Sequence, residues 1–426
     1  MTSDGGDEDA IPARGSTPIR VIDTVRQLVM QAGVALRAIP RVMRIFVSPS
    51  DPEAHIPSAS GARWWLQRLG LFALREPLTI AADWVYLIDH SVQTGTVKVC
   101  VIVGLRLSGW LVPRPLRLED LHLLAAIPIE HSTGGVVAAQ LEEATKRTGI
   151  PRQIVSDHGS DVKKGSELFA AQHPQTAVTY DAAHHGAIVL KKRLEAHPRW
   201  AALITRLGQT KARLLQTSDA YLVSPSLRPK ARYMNLKPVL RWCRAILKLI
   251  ARGAAGGVAS ERAIQRYGWL RKYRGAIRAW SRWESTVSGC LEFVRTQGLS
   301  VGSDTELERR LRERPTEQRD QRLESELIEF VRQQSASTRP AERLVGSTEI
   351  LESVFGKWKT LERQESNSGI TSLILSLGSM LGKWPLSRVR EALEATPVKA
   401  VHSWCAASIP TSVQSQRRLA FAASSP

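Results

Sequence analysis

The chain has 426 residues, of which 43% are hydrophobic and 23% charged, a composition typical of a globular protein with two or three domains. Lysine and arginine total 59 against 40 acidic residues, and the net charge of +19 favours a polyanionic partner. Nucleic acid is the leading candidate, and the alternative is an ordinary basic enzyme or a ribosome-associated protein. The four cysteines are scattered without a CxxC pair, which argues against a disulfide framework and a zinc ribbon. The sequence has no secretory signal and no long apolar run, so we expect a cytoplasmic protein without a membrane span.

The first segment, residues 1–17, is polar and predicts a disordered leader. A helical N-terminal region follows over 18–80, with helical spacing in 19–46, where Pro40 should bend or end a helix, and again in 61–74. Two arginines lie near one face of the latter stretch, Arg63 and Arg68. The region is a candidate for DNA binding, or alternatively an arm that packs on the core.

Short β-branched runs and turns over 81–196 indicate a mixed sheet with covering helices. One predicted helix, 134–149, separates the third and fourth strands and has its apolar residues on one face. Five strands are predicted, at 84–89, 97–107, 121–130, 152–157 and 177–181.

The next segment, 197–345, has no strand pattern and is predicted to be a helical insertion rich in arginine, tryptophan and glutamate. The remainder of the core is assigned to 346–385, with helices at 347–364 and around 370–382. A basic helical tail is predicted over 386–426.

Two carboxylates are predicted to end strands, Asp89 in the first and Asp157 in the fourth. If these strands are neighbours, both acids converge on one point; alternatively each acid ends its strand in a turn or caps a helix, as Ser160 or Asp161 could after Asp157. Carboxylate oxygens are the ligands that Mg²⁺ prefers, and two ions about 3.5–4 Å apart assist displacement at phosphorus.

This arrangement resembles the DDE/D transposases, in particular those of bacterial insertion sequences and their Mutator-like and hAT-like relatives. The third acid of those families follows a helical insertion in the motif T-N-x-x-E-x-x-N-x-x-x-K. The stretch Thr348 to Lys359 matches at Thr348, Glu352 and Lys359, with Glu349 and Phe355 where asparagine is more usual. The resemblance implies Glu352 as third ligand, with Glu349 as competitor.

A second likeness to these families is an Asp-x-x-His pair after the fifth strand, here Asp181 and His184. The resemblance implies that the pair supports the active site without binding the metals; the alternative is a surface or helix-capping histidine. It also implies a ribonuclease H-like core, an α/β fold whose five-stranded mixed sheet is interrupted by the helical insertion. The separation of 195 positions between Asp157 and Glu352 leaves room for that insertion.

Basic side chains near these acids are predicted to hold DNA phosphates, although charged residues on helices are usually just solvated. They are Lys191, Lys192, Arg193, Lys357 and Lys359. An insertion tryptophan could stack on a flipped base or simply pack in the core. The candidates are Trp242, Trp269, Trp280 and Trp283.

The sequence therefore predicts a DNA transposase whose Asp89, Asp157 and Glu352 hold two Mg²⁺ ions, or Mn²⁺ in their place, for strand cleavage and strand transfer. Expected partners are the double-stranded DNA of the element ends and target, and a second copy of the chain, in the nucleoid. Two alternatives stay open, a ribonuclease H-like nuclease that only cuts and a transposase-derived regulator that only binds DNA.

Overall fold

The computed structural model describes residues 10–13, 15–46, 55–92, 97–226, 236–315, 319–364, 370–411 and 413–422. Most of the predicted leader, residues 1–9 and 14, lies outside them. The chain forms two compact units, the first made of residues 1–179 and 347–426 and the second of Tyr180–Gly346. The helix that follows the fifth strand, assigned to the core from sequence, falls within the second unit.

The first unit contains a five-stranded sheet. Its strands are β1 (Trp84–Val92), β2 (Lys98–Arg106), β3 (His122–Ile129), β4 (Gln153–Ser156) and β5 (Ala177–Tyr180). They lie in the order β3-β2-β1-β4-β5, and β1 pairs antiparallel with β2 and parallel with β4, while β2 pairs antiparallel with β3. This order and these directions are those of a ribonuclease H-like sheet, so the predicted fold class is confirmed.

The central strands are buried on both faces because helices cover both sides of the sheet. Residues 99–105 of β2 and the whole of β4 are buried, as expected of strands covered on both faces. β1 differs from its predicted bounds, since its antiparallel pairing with β2 continues to Val92. Asp89 therefore lies within β1 rather than at its end, one residue beyond the last pair with β4, Ile88 with Ser156.

The helices of the first unit come from both of the sequence segments that form it, residues 1–179 and 347–426. They are α1 (Ile19–Met30), α2 (Ile39–Phe46), α3 (Ala59–Arg75), α4 (Gly134–Thr148), α5 (Ser160–Gln172), α13 (Glu349–Glu362), α14 (Ser376–Met380), α15 (Leu386–Ala395), α16 (Val398–Ser408) and α17 (Val413–Ala422). α4 occupies the position predicted between β3 and β4 and packs against α5, whereas α3 packs against α14, α15 and α16. A 3₁₀ turn at Ser372–Leu375 replaces the first part of the predicted apolar helix.

The N-terminal region packs on the core through its arginines. Arg63 donates to Ser372 Oγ at 3.2 Å, and Arg68 donates to the carbonyl oxygens of Leu393 and Thr396. Both side chains thus contact the C-terminal part of the same unit, as the packing-arm alternative expects. Pro40 lies in the first turn of α2 and does not end a helix. Proline is tolerated there because the N–H groups of a first helical turn have no acceptor within the helix, so the N–H that proline lacks is not needed.

The end of the predicted leader also makes defined contacts. Ile19 N–H donates to Ala10 O at 3.0 Å, and the Thr17 hydroxyl lies 2.5 Å from His55 Nε2. Pro12 and Thr17 are buried. Residues 10–13 and 15–17 are therefore held by the fold rather than disordered.

The close approach of α3 to α14 depends on Gly70. A Cβ at this position would lie 1.6 Å from the carbonyl oxygen of Leu375, a distance at which the backbone must move. We expect Gly70→Ala to lower the free energy of unfolding by about 2–4 kcal/mol, since overpacked sites relieve the clash only by shifting neighbouring elements. Chemical denaturation measures the change.

Gly208 is the matched control for this substitution. It also lies inside a helix, in Trp200–Leu214, but a Cβ there has no neighbouring atom within 4 Å. Gly208→Ala should stabilise the protein by up to about 1 kcal/mol through helix propensity. Equal effects of the two substitutions would contradict the close approach at Gly70.

The second unit contains helices and, within its described residues, no strand beyond an isolated bridge between Leu299 and Leu344. This agrees with a strand-free insertion. Its helices are α6 (Ala182–Ala196), α7 (Trp200–Leu214), α8 (Leu236–Ala251), α9 (Gly257–Tyr267), α10 (Arg274–Gln297), α11 (Ser303–Arg312) and α12 (Gln321–Ser335). Across both units, no helix in the described ranges has the length and apolarity needed to cross a bilayer.

Candidate active site

The two aspartates lie at adjacent positions of neighbouring parallel strands. The register pairs Leu87 with Val155 and Ile88 with Ser156, so that Asp89 comes next on β1 and Asp157 directly follows the end of β4. Neighbouring strands are about 4.8 Å apart, and equivalent side chains of a parallel pair point to the same side. The condition under which the sequence brings the two acids together, that their strands are neighbours, is met by this pairing.

Each of these carboxylates accepts a backbone hydrogen bond that orients it. His90 N–H donates to Asp89 Oδ1 at 2.6 Å, and Gly159 N–H donates to Asp157 Oδ1 at 2.9 Å. The second bond closes a tight turn in which His158 adopts φ 58°, an uncommon left-handed conformation for a side-chain-bearing residue. The turn holds the Asp157 carboxylate at the start of α5.

Three further polar side chains gather beside this pair, and the sequence does not assign them to the site. Asp161, in the first turn of α5, lies with Oδ2 3.5 Å from His90 Nδ1 and 3.6 Å from Lys98 Nζ. These contacts join α5 to β1 and to the start of β2. The sequence presents Asp161 only as a possible helix cap, whereas the structure gives the cap position to Gly159.

The pKa shifts in this cluster follow from burial and from its charges. Burial lowers the pKa of His90, and the nearby Asp161 carboxylate offsets this only in part. Burial raises the pKa of Asp161, but a hydrogen bond from Ser132 and the charge of His90 outweigh it, and the pKa of Asp161 is lowered overall. Burial also raises the pKa of Cys100 to about 12, with Asp89 and Asp161 adding to the shift. The cluster therefore keeps the Asp161 carboxylate ionised and the Cys100 thiol protonated at neutral pH.

The predicted third acid lies on α13, which contacts β1 within the same unit. The apolar face of this helix is buried through Leu351, Val354 and Trp358. Glu352 is exposed, about 100° round the helix from Leu351 and so at the border of the buried face. Glu349 is half-buried, and its N–H donates to Ser347 Oγ at 3.1 Å.

The carboxylates of this site fit a divalent metal ion only in part. The donors are oxygens of the type that Mg²⁺ binds, and the register brings two carboxylates, those of Asp89 and Asp157, to adjacent strand positions. The described ranges nevertheless contain no group of three or more histidine, cysteine, aspartate or glutamate side chains placed to hold an ion. The acids on α13 thus do not complete a ligand set with the two aspartates in this structure.

The Asp-x-x-His pair begins α6 in the second unit. The buried Asp181 carboxylate accepts the N–H groups of Ala183 and His184, each at 3.2 Å, and caps the helix. The His184 ring lies 5.9 Å from that of Tyr180. The alternative named a surface or helix-capping histidine, whereas the side chain that caps α6 is that of Asp181. A supporting role of the pair in catalysis stays a prediction.

The predicted phosphate-binding residues differ in their surroundings. Lys191 and Lys192 are exposed on α6. Arg193, in contrast, pairs with Glu326 at 3.1 Å, and Lys357 donates to the carbonyl oxygen of Met30 at 2.7 Å. Lys359 Nζ lies 5.9 Å from the centre of the Phe355 ring. Arg193 and Lys357 would have to release internal partners in order to bind DNA.

The insertion tryptophans are also largely engaged within their unit. Trp280 is fully buried, and Trp283 Nε1 donates to Asp320 at 2.8 Å. Trp242 packs edge-on against Tyr267. Trp269 is half-buried, with the Arg206 guanidinium 4.5 Å from its ring. Packing is thus the role that the structure gives to Trp280, whereas stacking on a base stays a prediction for the others.

Comparison with known proteins identifies a similar solved structure. No protein-family model matches the chain, and no curated protein sequence matches it. The chain is similar to the Drosophila P element transposase strand transfer complex, with a TM-score of 0.41 and 10% identity over 86% of this chain and 92% of that chain.

Proposed function

We propose that the chain is a metal-dependent DNA transposase, which cleaves DNA at the ends of a mobile element and joins the freed 3′ end to target DNA. The observation that carries the proposal is that Asp89 of β1 and Asp157, directly after β4, follow the last residue pair of these two neighbouring strands in a ribonuclease H-like sheet. The acid-bearing helix α13 packs against the same β1. The net charge of +19 supports a polyanionic substrate.

Asp89 and Asp157 would hold Mg²⁺ or Mn²⁺, with Glu352 as the third ligand. Bound ions of this kind activate the attacking oxygen and stabilise the leaving oxygen in displacement at phosphorus. The backbone bonds from His90 and Gly159 would keep both aspartates oriented for this task. The contacts of Asp161 with His90 and Lys98 would hold α5, and with it Asp157, against β1 and β2.

The experiment uses the full-length protein and a linear DNA that carries both flanks of its coding sequence. With Mg²⁺ we expect strand breaks at defined positions and, on adding a supercoiled plasmid, joined products. EDTA should abolish both reactions because it removes the divalent ions that the carboxylates would hold. A second copy of the chain is proposed to act with the first on the paired ends, which crosslinking on DNA would show as a dimer.

The products separate the transposase from its two alternatives. Cleavage without joining would indicate a nuclease that only cuts. Protection of the DNA without any cleavage in Mg²⁺ or Mn²⁺ would indicate a regulator that only binds.

A further inference from the structure

The positive charge of the chain is concentrated in one part of the second unit. Residues 220–283 contain 15 lysines and arginines and a single acidic residue, Glu261, a formal charge of +14. The remaining residues contain 44 basic and 39 acidic residues, a formal charge of only +5. Most of the excess positive charge that points to a polyanionic partner therefore lies in this segment, and the segment contributes no residue to the candidate active site.

Helix α8 presents this charge as a stripe. Lys237, Arg241, Arg244 and Lys248 recur at spacings of four, three and four residues, which places them on one face of a helix. All four are exposed. The stripe is about 16 Å long at 1.5 Å per residue. It is too long to be satisfied by one phosphate group and fits an extended anion.

The other face of α8 is already covered. Val239, Leu240, Cys243 and Ile246 are buried within the second unit, where α8 packs against α9 and α10. An interfacial membrane helix would need this apolar face for the lipid. The geometry of α8 therefore favours a hydrophilic polyanion over a bilayer.

The next basic segment repeats the pattern. Arg271, Arg274 and Arg278 recur at spacings of three and four residues in the 3₁₀ turn Gly268–Tyr273 and the start of α10, and all three are exposed. No acidic residue lies between Glu261 and Glu284 to neutralise them from the same segment. This second group brings three more exposed cations to the same segment of the sequence.

Arginines elsewhere in the same unit are arranged differently. On α11, Arg309 and Arg310 both pair with Glu306, at 2.8 and 2.7 Å, and Arg312 pairs with Glu308 at 2.5 Å. These pairs neutralise the helix surface. In the part of the chain that the structure describes, none of the four stripe residues of α8 forms such a pair, which leaves their charge available to a partner.

We propose that the basic stripe of α8, extended by Arg271, Arg274 and Arg278, is a surface that binds the phosphate backbone of double-stranded DNA without reading its sequence. Phosphate contacts of this type dominate nonspecific affinity and make it strongly dependent on salt. The choice of DNA among polyanions rests on the proposed function; the existence of an anion-binding surface does not.

The test compares full-length variants for binding to a duplex of arbitrary sequence, about four helical turns long, in EDTA so that no cleavage occurs. In the triple variant Arg241→Gln, Arg244→Gln, Lys248→Gln, affinity at roughly physiological salt should fall by about tenfold or more. The slope of log affinity against log salt should fall by about two to three, roughly one for each phosphate that is no longer neutralised. Replacing Arg241 and Arg244 by lysine should retain most of the affinity and the slope, because lysine keeps the charge.

The matched control is Arg309→Gln, Arg310→Gln, Arg312→Gln, which removes the same charge from α11 and should leave the salt slope unchanged. Circular dichroism and thermal melting of each variant verify folding. An unchanged slope in the α8 variant, or an equal loss in the α11 control, would overturn the proposal. So would preferential α8-dependent binding to double-stranded RNA or to vesicles containing phosphatidylserine.

The outcome is independent of catalysis. If the α8 variant loses DNA binding but the wild type never cleaves DNA, the surface stands and the proposed function fails. If the wild type cleaves and the α8 variant binds normally, the proposed function stands and the surface is wrong.

Discussion

Replacing Asp157 by asparagine is expected to lower DNA strand cleavage by at least about 10³-fold, a loss of roughly 4 kcal/mol of transition-state stabilisation. Asparagine has nearly the size of aspartate and can still accept the hydrogen bond that Gly159 N–H donates at 2.9 Å. The turn after β4 should therefore keep its conformation while the site loses a charged ligand. Rates of strand cleavage with Mg²⁺, together with DNA affinity in EDTA, measure the effect.

Asp83 provides the control for this substitution. It directly precedes β1, at the opposite end of that strand from Asp89, and it pairs with Arg106 and accepts a hydrogen bond from Ser108 N–H. Asp83→Asn should cost some stability but leave cleavage by the folded protein within about threefold of wild type, since surface ion pairs contribute about 1 kcal/mol or less. Cleavage by Asp157→Asn within about tenfold of wild type would remove Asp157 from the ligand set.

The sheet and its pair of aspartates could be predicted from sequence because burial leaves a local signal. Residues 99–105 of β2 form a nearly continuous apolar run, and β4 contains the apolar pair Ile154 and Val155. The charged or turn-forming residues that follow such runs mark the strand ends. β1 extends further than predicted because His90 and Ser91, which follow its predicted end, are polar and gain their strand conformation from pairing with β2. Pairing of this kind is a tertiary property.

The polar neighbours of the aspartates could not be predicted for the same reason. Asp161 on α5 meets His90 of β1 and Lys98 of β2 at 3.5 and 3.6 Å only because the fold brings these three elements together. The one available signal was the hairpin, because it places the first residue of β2 beside the last residues of β1. Sequence spacing equally could not foresee that Lys357 binds the Met30 carbonyl. Whether a basic side chain is available to a phosphate depends on acceptors that lie far away in sequence.

The third ligand is the least determined part of the site, and two substitutions on α13 decide it. We expect Glu352→Gln to lower strand cleavage by at least about 10³-fold, similar to Asp157→Asn, because the metal site would lose its third carboxylate. Glu349→Gln should leave cleavage within about threefold and lower stability by about 0.3–1 kcal/mol, because an acid in the first turn interacts favourably with the helix dipole. Cleavage rates and denaturation midpoints of both variants make the comparison.

The two glutamates are matched controls for each other, since they lie on the same helix one turn apart. Glu352 is preferred because it borders the face through which α13 packs in the first unit, about 100° from Leu351, while Glu349 is about 160° from Leu351. The reverse outcome, with activity lost only in Glu349→Gln, would transfer the ligand role to Glu349. Full activity in both variants would remove α13 from the metal site and make Asp161, which lies beside His90 in the same cluster, the next candidate for the third carboxylate.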